Sequence, residues 1–127
     1  VLKQSDYISL HVPGGEATKH MISTAQFEMM KPTACIINCA RGGVIDEKAL
    51  LAALEAGKIR GAGFDVYEEE PLATDKLIKD PVVNHPMIYG THHIGASTEQ
   101  AQLAGAEETV RIVKVYKETG EVINCVN

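Results

Sequence analysis

The sequence has 127 residues, 45% hydrophobic and 23% charged, with a formal net charge of −5. That length fits one domain with a core of its own and excludes two ordinary domains. The acidic balance speaks against nucleic acid or an anionic membrane as partner, since both select a basic face, and no apolar run reaches the roughly 18–20 residues that span a bilayer.

Eleven glycines and few aromatics favour an α/β protein with tight turns, and the chain order agrees. Asp6-Tyr7-Ile8-Ser9-Leu10-His11-Val12 is a short apolar run halted by Pro13-Gly14-Gly15, as a buried strand entering a turn would be. Ser23 or Thr24 can cap a short helix through Met30, which Lys31-Pro32 closes. Ala34-Cys35-Ile36-Ile37-Asn38 is continuously apolar, so a strand covered on both faces is expected. Ala40-Arg41-Gly42-Gly43 turns the chain into a helix capped near Asp46, with Leu50, Leu51 and Leu54 as its apolar stripe and Gly57 at its end.

Gly61-Ala62-Gly63-Phe64-Asp65-Val66 is the third strand, its small residues permitting close backbone approach. Residues 68–86, acidic and punctuated by Pro71, Pro81 and Pro86, read as a surface loop. Met87-Ile88-Tyr89-Gly90 is a fourth strand. Ser97-Thr98-Glu99-Gln100 fits a capping box opening a last helix, which carries Leu103, Ala106, Val110 and Val113 on one stripe and stops near Gly120. Strands alternating with helices imply a parallel sheet with crossover connections. Three cysteines (Cys35, Cys39, Cys125) without a C-x-x-C pair suit a reducing, cytoplasmic setting. The opening Val1-Leu2-Lys3-Gln4 is neither a leader nor a start methionine, so a piece of something longer is expected.

In such a sheet, ligands bind beyond the carboxyl ends of the strands. The polar residues to weigh there are Pro13, the Cys39-Ala40-Arg41 turn, Asp65, Glu70 and His93. Each alone has an ordinary reading: Arg41 as a surface charge, Asp65 as a strand-end cap, Glu70 as part of the solvated Glu68-Glu69-Glu70 run, His93 as a hydrogen-bonded core histidine. Together they bring a cation, a carboxylate and an imidazole to one edge. A carboxylate beside a histidine orients the ring and favours the imidazolium, and an arginine fork suits a substrate carboxylate. This set suits proton transfer on a small carboxylic acid.

Several stretches together carry a family resemblance: Leu10-His11-Val12-Pro13; Asn38-Cys39-Ala40-Arg41-Gly42-Gly43-Val44-Ile45-Asp46-Glu47 with Ala49-Leu50; Gly61 to Tyr67 with Glu70-Pro71; and Thr91-His92-His93-Ile94-Gly95-Ala96-Ser97-Thr98. In this order and spacing the chain resembles the D-isomer-specific 2-hydroxyacid dehydrogenases. The Asn-Cys-Ala-Arg-Gly-Gly form, Gly95 to Gln102 and the closing Val126-Asn127 most resemble the D-3-phosphoglycerate dehydrogenase branch.

The resemblance implies that residues 1–127 are the C-terminal part of an NAD-binding domain, the second half of a Rossmann-like doubly wound parallel sheet with flanking helices. It implies hydride transfer between NAD and a D-2-hydroxy acid, with 3-phosphoglycerate and serine biosynthesis as the first expectation. Other expectations are a glycerate, hydroxypyruvate or lactate enzyme, or a non-catalytic NAD-sensing protein like the corepressors of this fold. Arg41 would bind the substrate carboxylate and carbonyl, His93 would be the general acid/base and Glu70 its partner. Asp65 would contact the nicotinamide carboxamide. The backbone of Cys39, Ala40 and Arg41 and the Gly95-Ala96 turn would line the nicotinamide pocket with His93, and Val12 and Pro13 would lie beside the cofactor. A homo-oligomer is implied for the complete protein.

Three departures qualify it. His92 replaces the proline usual before the catalytic histidine, and the Ile94-Gly95 that follows favours His93 over its neighbour. Gly14-Gly15 replaces a bulkier pair, implying a looser turn. No G-x-G-x-x-G follows a strand, since Gly61-Ala62-Gly63 lacks the third glycine; the phosphate loop and the ribose-binding acid are therefore expected upstream of Val1, and substrate-domain residues elsewhere. A metal enzyme is disfavoured. His11, His20, His85, His92 and His93 supply no His-x-x-x-His pair, and there is no Cys/His ligand ladder.

Overall fold

The computed structural model describes residues 1–70 and 80–126 and resolves into two compact units, Val1–His93 and Ile94–Asn127. The first unit holds four short strands, β1 (Tyr7–Leu10), β2 (Cys35–Asn38), β3 (Gly61–Phe64) and β4 (Ile88–Gly90), with helices α1 (Thr24–Phe27) and α2 (Glu47–Glu55) between them. The sheet is parallel throughout and its spatial order follows the chain, β1-β2-β3-β4. The expected strands are present, each trimmed by one to three residues at its ends.

Alternation along the strands divides the sheet into two faces. Ile8, Leu10, Ile36, Ala62, Phe64 and Ile88 point into the core, where they meet Phe27, Met30, Leu50, Ala53 and Leu54 from the helical side. Leu50 is wholly buried and Leu54 nearly so, each contributing about 1.5–3 kcal/mol over an exposed side chain. The opposite face carries Tyr7, Ser9, Cys35 and Ile37 in exposed or half-exposed positions. The expectation that β2 is covered on both faces is therefore corrected: both short helices of this unit pack on one side.

Asp46 caps α2, its Oδ1 accepting the Ala49 amide at 3.0 Å, while its Oδ2 accepts the Ser23 hydroxyl at 2.9 Å. The Ser23 and Asp46 segments are further joined by a parallel bridge between Ile22 and Ile45. α1 is shorter than expected, ending its regular turns at Phe27. The predicted surface loop is only partly one. Residues 71–79 lie outside the described residues, and beyond them Val82 is buried and Val83 packs against the core.

The second unit is dominated by α3 (Glu99–Thr119). Its cap is Thr98, whose hydroxyl accepts the Ala101 amide at 3.2 Å, so the capping box expected from Ser97 and Gln100 is not what opens it; Gln102 instead reaches the Ala96 carbonyl at 2.7 Å. Gly120 closes the helix with φ +74°, a left-handed conformation that a side chain would oppose. Leu103, Val110 and Val113 on the apolar stripe are exposed. Among the described residues no helix is long and apolar enough to cross a membrane.

Candidate active site

In-register pairing sets the site. Leu10, Asn38, Phe64 and Gly90 are neighbours across the four strands, so the residues after each leave from one edge of the sheet. Those residues are Val12-Pro13, Cys39-Ala40-Arg41, Asp65 and Thr91-His92-His93. All the sequence-derived candidates of the first unit are attached to this edge.

Glu70 and His93 are brought together. His93 Nδ1 lies 2.8 Å from Glu70 Oε1 and 2.9 Å from Oε2, with both side chains about half exposed (50% and 42%). His93 adopts φ +59°, a left-handed conformation rare for a side-chain-bearing residue. Such strain costs of order 1–3 kcal/mol and concentrates at functional positions. His92, the alternative ring, shows no such pairing with Glu70.

Arg41 is exposed, and its guanidinium donates to the Ala40 carbonyl at 2.7 Å. The turn carrying it is shaped from below by Asn38, a nearly fully buried polar residue. Asn38 Nδ2 donates to the Arg41 carbonyl at 3.0 Å and Asn38 Oδ1 accepts the Ala40 amide at 3.2 Å. This is an Asx-type turn, which spreads the Cys39–Arg41 backbone at the strand end. The stem of Arg41 rests on Gly14, where a Cβ would stand 3.3 Å from Arg41 Cγ. Pro13 is exposed, its carbonyl accepting the Thr18 hydroxyl at 2.7 Å, and Val12 is half-buried.

Asp65 is the other buried polar residue, 7% exposed. Its Oδ1 accepts the Thr91 hydroxyl at 2.6 Å, and its amide donates to the Asn38 carbonyl at 3.1 Å. Its charge adds to burial in pushing the Tyr67 phenol above its ordinary range, burial being the larger cause. Gly95 and Ala96 belong to the second unit. Among the described residues no group of three or more His, Cys, Asp or Glu side chains is placed to hold a metal. Asn38 and Thr91 are the residues the sequence reading passed over. A polar residue closing an apolar strand was the available signal for Asn38; Thr91 had none, because its partner lies 26 residues away.

Residues 1–95 match the family model described as "D-isomer specific 2-hydroxyacid dehydrogenase, NAD binding domain". The chain belongs to that family. It is 48% identical over 116 residues (91% of this chain, 21% of the relative) to a D-3-phosphoglycerate dehydrogenase of Methanocaldococcus jannaschii. It is 45% identical over 123 residues (96% and 34%) to a glyoxylate reductase of Pyrococcus furiosus. Among solved structures, the NAD-complexed D-isomer-specific 2-hydroxyacid dehydrogenase of Lactobacillus delbrueckii ssp. bulgaricus superposes with a TM-score of 0.81 at 31% identity, covering 100% of this chain and 41% of that one. The chain thus spans about a fifth to a third of the length of these curated relatives.

Proposed function

We propose that the protein containing this chain transfers a hydride between NAD and a D-2-hydroxy acid, and that residues 1–127 form the C-terminal part of its NAD-binding domain. The Glu70–His93 pair at the ligand-binding edge of a parallel sheet carries this reading. With Nδ1 engaged by Glu70, Nε2 is the ring nitrogen offered to substrate. In oxidation, His93 takes the proton of the C2 hydroxyl; in reduction it returns that proton to the carbonyl oxygen. NAD, when bound, accepts or supplies the hydride at C2. Arg41, exposed on its turn, has the forked cation that pairs with the substrate carboxylate and stabilises charge at the carbonyl.

The residues present suit the nicotinamide end of the cofactor. Asp65, buried at a strand end and anchored by Thr91, is an acceptor for the carboxamide, and the spread Cys39–Arg41 backbone, Val12, Pro13, Gly95 and Ala96 are the proposed lining. The likeness to D-3-phosphoglycerate dehydrogenases supports 3-phosphoglycerate, oxidised to 3-phosphohydroxypyruvate in serine biosynthesis, as the first substrate to test. A glyoxylate reductase of similar identity makes glyoxylate and hydroxypyruvate the second. A cytoplasmic homo-oligomer is the proposed setting.

The test is NAD-linked turnover by the complete protein with 3-phosphoglycerate, glyoxylate and hydroxypyruvate in turn. Turnover of one of them, lost in His93→Ala, is expected. Wild-type turnover in His93→Ala would refute the acid–base role. NAD binding without turnover of any would favour a sensing protein instead.

A further inference from the structure

Arg41 and Glu70 hang from different strands, β2 and β3, yet both must face one small substrate. The segment joining β3 to Glu70 is gripped at three points. At Gly42 a Cβ would stand 1.8 Å from the Tyr67 carbonyl oxygen and 2.6 Å from its carbon, so the Tyr67–Glu68 peptide passes directly over the Arg41 turn. The Glu68 amide donates to Glu47 Oε1 at 2.7 Å. The Glu68 carboxylate pairs with His20 Nε2 at 2.9 Å. His20 is itself fastened to the same turn, its amide donating to the Gly43 carbonyl at 2.8 Å with φ +49°.

From these contacts we infer that Glu47 and His20 are positioning residues: by clamping Glu68 onto the Arg41-Gly42-Gly43 turn they hold Glu70, two residues on, in register with Arg41. The inference rests on the acid–base reading of Glu70 and His93. Two residues span up to about 7 Å of extended chain, so release of Glu68 frees Glu70 to move by more than the roughly 1 Å that costs an enzyme about a hundredfold. Glu47 has no comparable use elsewhere. It stands at the first position of α2, half-buried, where burial, followed by the Glu68 amide acting in the opposite sense and the charges of Asp80, Glu68 and Glu69, leaves its carboxyl above the ordinary range. A carboxylate kept at that disadvantage fits a geometric role, one that needs an acceptor oxygen rather than a charge.

The experiment compares Glu47→Ala and Glu47→Gln with wild type and His93→Ala in the complete protein, reading kcat, KM and thermal unfolding. Glu47→Ala is expected to lower kcat by about tenfold to a hundredfold, with KM for the hydroxy acid little changed. Glu47→Gln retains an amide oxygen for the Glu68 N–H and is expected to keep kcat near wild type. A merely helix-stabilising Glu47 would lower the unfolding temperature and leave kcat intact below it, which overturns the inference. So would Glu47→Gln as impaired as Glu47→Ala. If Glu47→Ala does not fold, His20→Ala removes the exposed arm of the clamp, and unchanged kcat there overturns the inference equally. With His93→Ala inactive, such a result refutes the clamp alone; with His93→Ala active, the acid–base reading and the clamp fall together.

Discussion

Glu70 offers both carboxylate oxygens to His93 Nδ1, at 2.8 and 2.9 Å, so the ring is steered by the whole carboxylate rather than by one oxygen. The pair is half exposed, and its value is orientation more than stability, since ion pairs in contact with solvent contribute little to folding. The complete protein should therefore lose turnover by about 10²–10⁴-fold in His93→Ala, the range spanned by general acid–base catalysis. Glu70→Ala, which leaves the imidazole in place but unsteered, should lose less. Steady-state kcat of the two variants, with unfolding temperatures close to wild type in both, is the measurement. A Glu70→Ala loss exceeding that of His93→Ala would contradict these roles.

Thr91 holds Asp65 by a 2.6 Å hydrogen bond between strand ends. Hydrogen bonds to charged groups contribute about 1.5–3 kcal/mol, so removing the hydroxyl while keeping the shape, as in Thr91→Val, should raise KM for NAD about tenfold or more. Thr91→Ser keeps the hydroxyl and should restore it. Steady-state titration of NAD in the complete protein distinguishes the two. Equal KM values in both variants would mean that Asp65 does not depend on Thr91.

Much of the site was legible because a parallel sheet exports its chemistry to one edge. Arg41, Asp65 and His93 each follow an apolar strand within three residues, and the strand pairing brings those ends into line. The contacts that set geometry were not legible. Glu68 meets Glu47 and His20 across separations of 21 and 48 residues, and no local periodicity encodes such meetings. Ser97 and Thr98 are equally competent caps one position apart, so the choice of Thr98 falls within the usual blur of helix ends. The open face of β2 was misread because an apolar run reports what a strand tolerates, whereas coverage depends on where other elements pack.

Gly42 and Gly14 both touch the Arg41 turn, yet they should respond differently to alanine. At Gly42 the new methyl meets backbone, the Tyr67 carbonyl, at 1.8 Å; at Gly14 it meets the flexible Arg41 stem at 3.3 Å. Overpacking against rigid backbone costs about 1–3 kcal/mol or more, so Gly42→Ala should lower the unfolding temperature by about 4 °C or more. Gly14→Ala should stay within about 2 °C while displacing Arg41, read as a raised KM for the hydroxy acid. Thermal unfolding followed by circular dichroism decides the first point. A Gly42→Ala protein as stable as wild type would show that the Tyr67–Glu68 peptide is not seated on the turn.

Asp46 joins two segments, capping α2 through Ala49 and accepting the Ser23 hydroxyl that begins the α1 turn. The Ala49 amide, more than any other group, holds its carboxyl below the ordinary value of 3.8, with burial opposing and Ser23 and His20 assisting. A carboxyl depressed in the folded state adds stability that is present above its unfolded pKa and lost as pH falls through the folded one. Asp46→Ala should therefore destabilise the chain by about 1 kcal/mol at neutral pH, the usual cost of a lost N-cap. That deficit should narrow as pH drops below about 4. Asp46→Asn keeps an acceptor for Ala49, so it should lose less at neutral pH. Urea unfolding of the three proteins between pH 7 and pH 3 tests the sign directly: a deficit that widens on acidification would mean Asp46 is not the charged cap.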